Sequence, residues 1–210
     1  MASYKVKEIY YTLQGEGAQS GRPAVFLRFT GCNLWSGREE DRHEAICPFC
    51  DTDFVGMDGT LGGKYTAKKL AEQVDSLWPA GHIHKYVVCT GGEPLLQLDE
   101  DLITALHQHG FEIGLETNGT IQPPAGIDWI CVSPKANTEV LVHHGHELKL
   151  VVRQIGLEPE MFEQWDFQHF YLQPMDGPLV KENTAWATEY CLRQPQWKLS
   201  VQTHKWLGIR

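Results

Sequence analysis

Four apolar runs in this chain each give way at once to a small polar motif. YVVC (86–89) leads into TGGEP, FEIGL (111–115) into ETNG, WICV (129–132) into SPK, and HFYL (169–172) into QPMDGP. Short apolar runs bounded by turn signals read as buried strands. In a parallel barrel the C-terminal strand ends all face one mouth, so four such motifs would share it. Gly-Gly and Asn-Gly are turn dipeptides first, and any one motif could be a mere turn. Their repetition after successive strands points to one large site.

RPAVFLRF (22–29) and LKLVV (148–152) are further strand candidates, and WKLSVQ (197–202) is a last one. Helical stretches lie between them. KYTAKKLAEQVDSLWP (64–79) places Ala67, Leu70, Ala71, Val74 and Leu77 at helical spacing, with Thr66 as N-cap and Pro79 as a stop. DEDLITALHQHG (99–110) has acids in its first turn and Gly110 just past its end, and ENTAWATEYCLRQ (182–194) reads as a third helix. Strands alternating with helices argue for a parallel sheet in an α/β fold. The connection TNGTIQPPAGID (117–128) contains two prolines and two glycines and cannot hold a normal helix.

A full eight-stranded barrel takes about 250 residues, and this chain has 210. The expectation is an incomplete TIM-type parallel β/α barrel with about six core strands and reduced helices. An open doubly wound sheet is the competing architecture. No repeat, low-complexity tract or linker interrupts residues 1–210, which read as one domain.

Eighteen basic against 27 acidic residues leave a net charge of −9. Such a chain has no basic surplus with which to neutralise phosphates, which argues against nucleic acid and membrane surfaces and for a small-molecule partner. The N-terminal MASYKVKEIYYTLQG has no apolar core of a secretory signal, and no run approaches 18 apolar residues. A cytoplasmic protein with reduced thiols is expected, in which clustered cysteines bind metal or do chemistry.

FTGCNLWSGREEDRHEAICPFCDT (29–52) holds three of the six cysteines, with fourteen residues between Cys32 and Cys47 and two between Cys47 and Cys50. Structural zinc takes four protein ligands, usually as two close pairs. Three thiolates with no obvious fourth suit a 4Fe–4S cluster that keeps one iron open for a ligand. A zinc site completed by His43, or plain buried cysteines, also fits this stretch. Cys89, Cys131 and Cys191 are single cysteines in apolar runs and read as packing. HIH (82–84) and HHGH (143–146) could bind metal but read as exposed loop histidines.

The cysteine loop with CDT, the TGGEP and the LETNGT resemble radical S-adenosylmethionine (radical SAM) enzymes. YYTLQGEG (10–17), FLRFTGCNLW (26–35) and the terminal QTHKWLGIR resemble the 7-carboxy-7-deazaguanine synthase family within them, over almost the whole chain. One departure stands out: most radical SAM enzymes place three residues between the first two cysteines. Closing the longer loop costs only about 1.4 kcal/mol more. Residues 33–46 therefore read as an insertion whose polar part, SGREEDRHE (36–44), bulges into solvent and tolerates shortening.

The resemblance implies a carbon–nitrogen lyase that contracts the ring of 6-carboxy-5,6,7,8-tetrahydropterin, loses ammonia and releases 7-carboxy-7-deazaguanine for queuosine-type bases. It implies a 4Fe–4S cluster on Cys32, Cys47 and Cys50, S-adenosylmethionine that is not consumed, Mg²⁺ on Thr52, a reductant such as a flavodoxin, and a homodimer. Gly91, Gly92 and Glu93 match the segment that holds the methionine amino group; Phe49 and Asp51 fall near the adenine. Ser133 and Lys135 suit the ribose and methionine carboxylate, and Gln173, Pro174, Met175 and Asp176 another edge of the cofactor. For the pterin, Leu13, Gln14, Gly15 and Glu16 are candidates for its hydrogen-bonding edge, Thr90 for a hydroxyl contact, and Arg28 for a bidentate grip on its carboxylate. Glu116, at a strand end, is the candidate base. Two alternatives are a glycyl-radical activating enzyme, which acts on a protein, and a non-catalytic zinc scaffold.

Overall fold

In the computed structural model, which describes residues 3–210, one sheet of nine strands gathers every apolar run named above. The strands are β1 (Tyr4–Leu13), β2 (Pro23–Phe29), β3 (Gly63–Tyr65), β4 (Lys85–Gly91), β5 (Phe111–Thr117), β6 (Trp129–Val132), β7 (His144–Val152), β8 (Asp166–Pro174) and β9 (Trp197–Leu199). Their order across the sheet is β3-β1-β2-β4-β5-β6-β7-β8-β9. β1 pairs antiparallel with β2 and β3, and every pair from β2 to β9 is parallel.

From β2 onward each new parallel strand adds on the same side of the last. A doubly wound sheet needs a reversal of that order; here there is none, so the incomplete barrel is the architecture. Two additions enlarge the expected count. β1 has no clean alternation because a bulge shifts its register between Val6 and Glu8, which hides a strand from a period-2 reading. β3 takes Lys64 and Tyr65 from the start of the expected helix and, with Gly63, pairs them with Tyr4–Val6.

Four helices accompany the sheet: α1 (Ala67–Asp75), α2 (Glu100–Gln108), α3 (Val180–Arg193) and α4 (Thr203–Leu207). Thr66 caps α1 by accepting from the Lys69 amide at 3.4 Å, and Asp99 caps α2 by accepting from the Leu102 amide at 3.1 Å. The connections after β5, β6 and β7 hold no α-helix. Val25, Leu27 and Phe29 of β2, Val87 and Cys89 of β4, and Ile113 and Leu115 of β5 pack against α1 and α2. Leu148, Leu150 and Leu172 pack against Ala187 and Tyr190 of α3. The intervening residues face the concave side, where Phe26, Arg28, Thr90 and Glu116 line a cavity.

WKLSVQ is a strand only to Leu199; the chain then turns into α4 and crosses the open side of the barrel. The Thr203 amide donates to Gly15 O at 2.9 Å, the Thr12 hydroxyl donates to Arg210 O at 2.7 Å, and Arg210 pairs with Glu8. The last eight residues thus bridge the β9 side back to β1 and roof the concave face.

Candidate active site

Two adjoining cavities open at the C-terminal ends of the parallel strands, and Glu16, Asp51, Thr52, Thr90, Glu116 and Gln202 line both. The first cavity is walled by Cys32, Cys47 and Cys50 on one side and by Ser133, Lys135 and Gln173–Asp176 on the other, with Phe49, Gly91 and Gly92 between them. Leu13, Gln14, Gly15 and Arg28 line the second. Except for Glu93, every residue that the family resemblance assigns to the site lines one or both cavities.

The glycines of TGGEP stand against the cysteine loop. A Cβ on Gly91 would lie 2.3 Å from Phe29 O, and one on Gly92 would lie 2.1 Å from Gly31 O and 2.8 Å from Cys32 Cβ. Gly91 also sits at φ +138°, which side chains rarely adopt. Only glycine lets the end of β4 press this closely on the start of the loop.

Burial pushes the Cys32 and Cys47 thiols up, Cys47 to about 11, so without metal both stay protonated at neutral pH. The Leu34 amide points at Cys32 Sγ at 3.4 Å, a contact of the kind that tunes cluster sulfurs. The donor set fits an iron–sulfur cluster: three soft thiols round one cavity, with no histidine in its wall. Among the described residues, no three His, Cys, Asp or Glu side chains converge as they must on a single ion. A four-iron cube spreads its thiolates over separate irons. His43, the candidate fourth zinc ligand, is exposed and faces Glu44 at 3.6 Å.

The insertion differs from the expected loose bulge. Glu39–Glu44 forms a 3-10 helix whose Arg42 lies over the Trp35 ring, 4.1 Å from its centroid. Arg42 Nη1 donates to Pro48 O at 2.6 Å and to Cys50 O at 3.2 Å, and its Nε donates to Glu39.

Glu93 is held from behind by the neighbouring loop. It is wholly buried, and its carboxylate accepts from Thr117 Oγ1 at 2.8 Å, the Asn118 amide at 2.8 Å and the Leu95 amide at 3.0 Å. Burial raises its pKa against these three bonds. Its carboxylate therefore ties the TGGEP loop to the ETNG loop. Asn118 extends the tie, donating to Asn33 Oδ1 at 3.0 Å beside Cys32.

Opposite the thiols, Lys135 donates only to Ser133, to its carbonyl at 2.6 Å and its hydroxyl at 2.7 Å. Among the described residues no carboxylate pairs with it, and burial pulls its pKa down. An ammonium so placed on a cavity wall calls for an anionic ligand.

The floor beneath both cavities is polar. Lys149, in the middle of β7, bonds Glu16 Oε2 at 2.7 Å and Glu116 Oε2 at 2.9 Å. Gln14 Nε2 donates to Glu116 Oε1 at 3.2 Å and Gln202 Nε2 to Glu16 Oε1 at 3.0 Å. Burial would raise the Glu16 pKa, but the Lys149 ammonium outweighs it and holds it at about 2. In the second cavity Arg28 gives Nε to Glu8 at 2.9 Å and Nη2 to the Tyr10 hydroxyl at 3.0 Å, and Arg210 lies over the Tyr10 ring. Tyr10 and Phe26 stack with centroids 5.5 Å apart.

Sequence reading missed Lys149, Gln202, His204, Lys205 and Arg210 as lining residues. A charge inside the apolar run LKLVV was the available signal for Lys149; the others depend on where the C-terminal segment folds back. Cys89 and Cys131 are buried as packing residues, with the Cys131 thiol 3.5 Å from Glu147 Oε1. HHGH is not a loop: His144 to His146 open β7, and His146 Nδ1 accepts from the Ile130 amide at 3.0 Å.

The model of the Radical SAM superfamily matches residues 43–165, a range that holds Cys47 and Cys50 but begins after Cys32. The chain is 65% identical to the 7-carboxy-7-deazaguanine synthase of Bradyrhizobium diazoefficiens over 99% of this chain and 100% of that protein. It is 62% identical to the same-named enzyme of Caulobacter vibrioides, over 99% of each. The crystal structure of QueE from Escherichia coli superposes with a TM-score of 0.72 at 26% identity, covering 95% of this chain and 94% of that one. The first two are named as synthases, which sets the scaffold reading aside, and none of the three is named for activating a protein. The chain belongs to the radical SAM superfamily and, within it, to the 7-carboxy-7-deazaguanine synthase family.

Proposed function

We propose that this protein is a carbon–nitrogen lyase that converts 6-carboxy-5,6,7,8-tetrahydropterin to 7-carboxy-7-deazaguanine with loss of ammonia. The observation that carries the reading is the pair of cavities sharing one wall: the cysteines stand in one, and an acceptor-rich, arginine-bearing chamber forms the other. The cluster and S-adenosylmethionine, when bound, supply the adenosyl radical that begins the reaction. Cys32, Cys47 and Cys50 would hold the cluster, the Gly91–Gly92 backbone the methionine amino group, and Lys135 the methionine carboxylate. Ser133 and Gln173–Asp176 would form the remaining wall.

In the second chamber Glu16, Glu116 and Gln14 present acceptors suited to the N–H edge of a pterin. Thr90 adds a hydroxyl, and Leu13 and Gly15 complete the rim. Arg28 has its Nε edge filled by Glu8, so a substrate carboxylate would meet the Nη1–Nη2 edge. Glu116 would take a proton from C6 or N5. A magnesium ion on Thr52 would draw little else from the protein here. Both flanking carboxylates are engaged, Asp51 with Lys205 at 2.8 Å and Asp53 with Lys7 at 2.8 Å. Substrate oxygens and water would fill the shell.

Residues 1–210 would act as one domain with the 33–46 insertion, as a homodimer served by a reductant such as a flavodoxin. No helix among the described residues is long and apolar enough to cross a membrane, and a cytoplasmic setting suits six free thiols. The test is anaerobic reconstitution with iron and sulfide, then incubation with reductant, S-adenosylmethionine and the tetrahydropterin. Formation of 7-carboxy-7-deazaguanine and ammonia is expected, with no accumulation of 5′-deoxyadenosine in step with product. S-adenosylmethionine cleavage without the deazaguanine would overturn the substrate assignment.

A further inference from the structure

Lys149 is an unusual side chain to find beneath a substrate chamber. It is 4% exposed and stands in register with Tyr171 of β8. Its ammonium meets Glu16, from the loop after β1, and Glu116, from the end of β5. Each carboxylate has its second oxygen on an amide N–H, from Gln202 and Gln14 respectively. In all four contacts the carboxylate accepts, and a protonated carboxyl would have to turn its O–H toward a donor. The arrangement suits two anions and no acid.

The other titratable groups round Lys149 do not supply the missing countercharge. Cys131 from β6 is buried and its thiol is raised far above its ordinary value by burial. Glu147, on β7 itself, is raised by burial as well and accepts from the Ala18 amide at 2.9 Å. Tyr171 from β8 is raised by burial. Lys135, beyond β6, is a second cation, but it donates to Ser133 and pairs with no carboxylate. Among the described residues Lys149 alone bridges the pair.

Resting on the reaction assigned above, we propose that Lys149 is a positioning residue that holds Glu16 and Glu116 as a matched pair of anions at the shared wall. In that state both accept from the pterin's N–H edge, and Glu116 enters the reaction as an anion. Without the ammonium, two buried carboxylates close together cannot both stay ionised, and one takes up a proton near neutral pH.

The experiment uses the full chain in two states. In the metal-free protein, infrared titration of Lys149→Met should show a protonated carboxyl at pH 7 that is absent from wild type. The band should bleach as the pH is raised above neutral. Adding Glu16→Gln removes one of the two charges and should abolish the band. Lys149→Arg should behave like wild type. In the loaded enzyme, kcat/KM of Lys149→Met should rise about tenfold per pH unit below the new pKa, where wild type is flat. Lys149→Gln serves if the Met variant folds poorly. Both uncharged variants should melt higher at pH 5 than at pH 7, because protonation relieves the repulsion. The proposal fails if either uncharged variant shows no protonated carboxyl at pH 7, or if neither folds at pH 5. If wild type makes no deazaguanine, the reaction assignment fails, while the infrared titration still decides the pair.

Discussion

Arg42 donates from one guanidinium nitrogen to the carbonyl of Cys50, 3.2 Å away and eight residues on in the chain. The same nitrogen reaches Pro48 O at 2.6 Å. The segment between Cys32 and Cys47 is therefore a brace against the CPFC turn, held by the cation on Trp35 and by the Trp35 indole donating to Arg38 O at 3.2 Å. Chain entropy made the length cheap; it said nothing about what the extra residues would bond to.

Removing that brace should loosen the cluster. Arg42→Ala leaves two carbonyls of the turn without their donor and strips the cation from Trp35. Iron retention after desalting should fall severalfold while circular dichroism of the metal-free protein stays unchanged. Arg42→Lys keeps one donor and should retain more iron than Ala. Full iron content in Arg42→Ala would return the segment to the status of a dispensable bulge.

The close approach of β4 to the cysteine loop gives a second test. Gly92→Ala would put a methyl 2.1 Å from Gly31 O, a backbone atom with little room to yield. The Cys32 side of the loop must move, at a cost of about 1–3 kcal/mol. Reduced iron loading with an early melting transition is expected. Gly21→Ala, where nothing lies within 4 Å, tests strain at positive φ without crowding and should leave loading intact.

Much of this arrangement was legible because parallel strands carry their function at one end. Once YVVC, FEIGL, WICV and HFYL are strands, TGGEP, ETNG, SPK and QPMDGP must meet. The three cysteines suited an iron–sulfur cluster but left zinc open, and the motifs after the strands tipped the reading. What stayed hidden depends on partners distant in sequence. Nothing in TGGEP itself shows that Glu93 accepts from Thr117 and Asn118, twenty-four and twenty-five residues on. β1 is obscured by its bulge, and Arg210 enters the second chamber only because α4 crosses the barrel opening.

Acid stability should have a sign readable from the buried carboxylates. Glu16 is held at about 2 against an ordinary 4.5, so its contribution is present above 4.5 and is lost as pH falls toward 2. Glu93 and Glu147 are raised by burial, so their ionisation weakens the fold at neutral pH and protonation relieves it. Thermal melts of the metal-free protein should therefore peak on the mildly acidic side of neutrality and drop steeply below pH 4.5. Glu16→Gln should flatten that drop. A melting temperature that rises steadily from pH 5 to 8 would contradict the balance.

The substrate chamber separates a carboxylate grip from a base. Arg28 keeps its Nε on Glu8 and shares Nη2 with Tyr10, which fixes the guanidinium plane and turns its end toward the chamber. Arg28→Lys preserves charge and loses that planar end, so the substrate KM should rise about tenfold with kcat little changed. Glu116→Gln keeps the shape beside Lys149 and removes basicity, so kcat should fall about 10²–10⁴-fold with substrate affinity close to wild type. Anaerobic equilibrium titration with the tetrahydropterin, followed by single-turnover measurement, resolves the two effects. Near-normal turnover in Glu116→Gln would leave its carboxylate a binding group only, and unchanged affinity in Arg28→Lys would move the carboxylate grip to Arg210, the other arginine of the chamber.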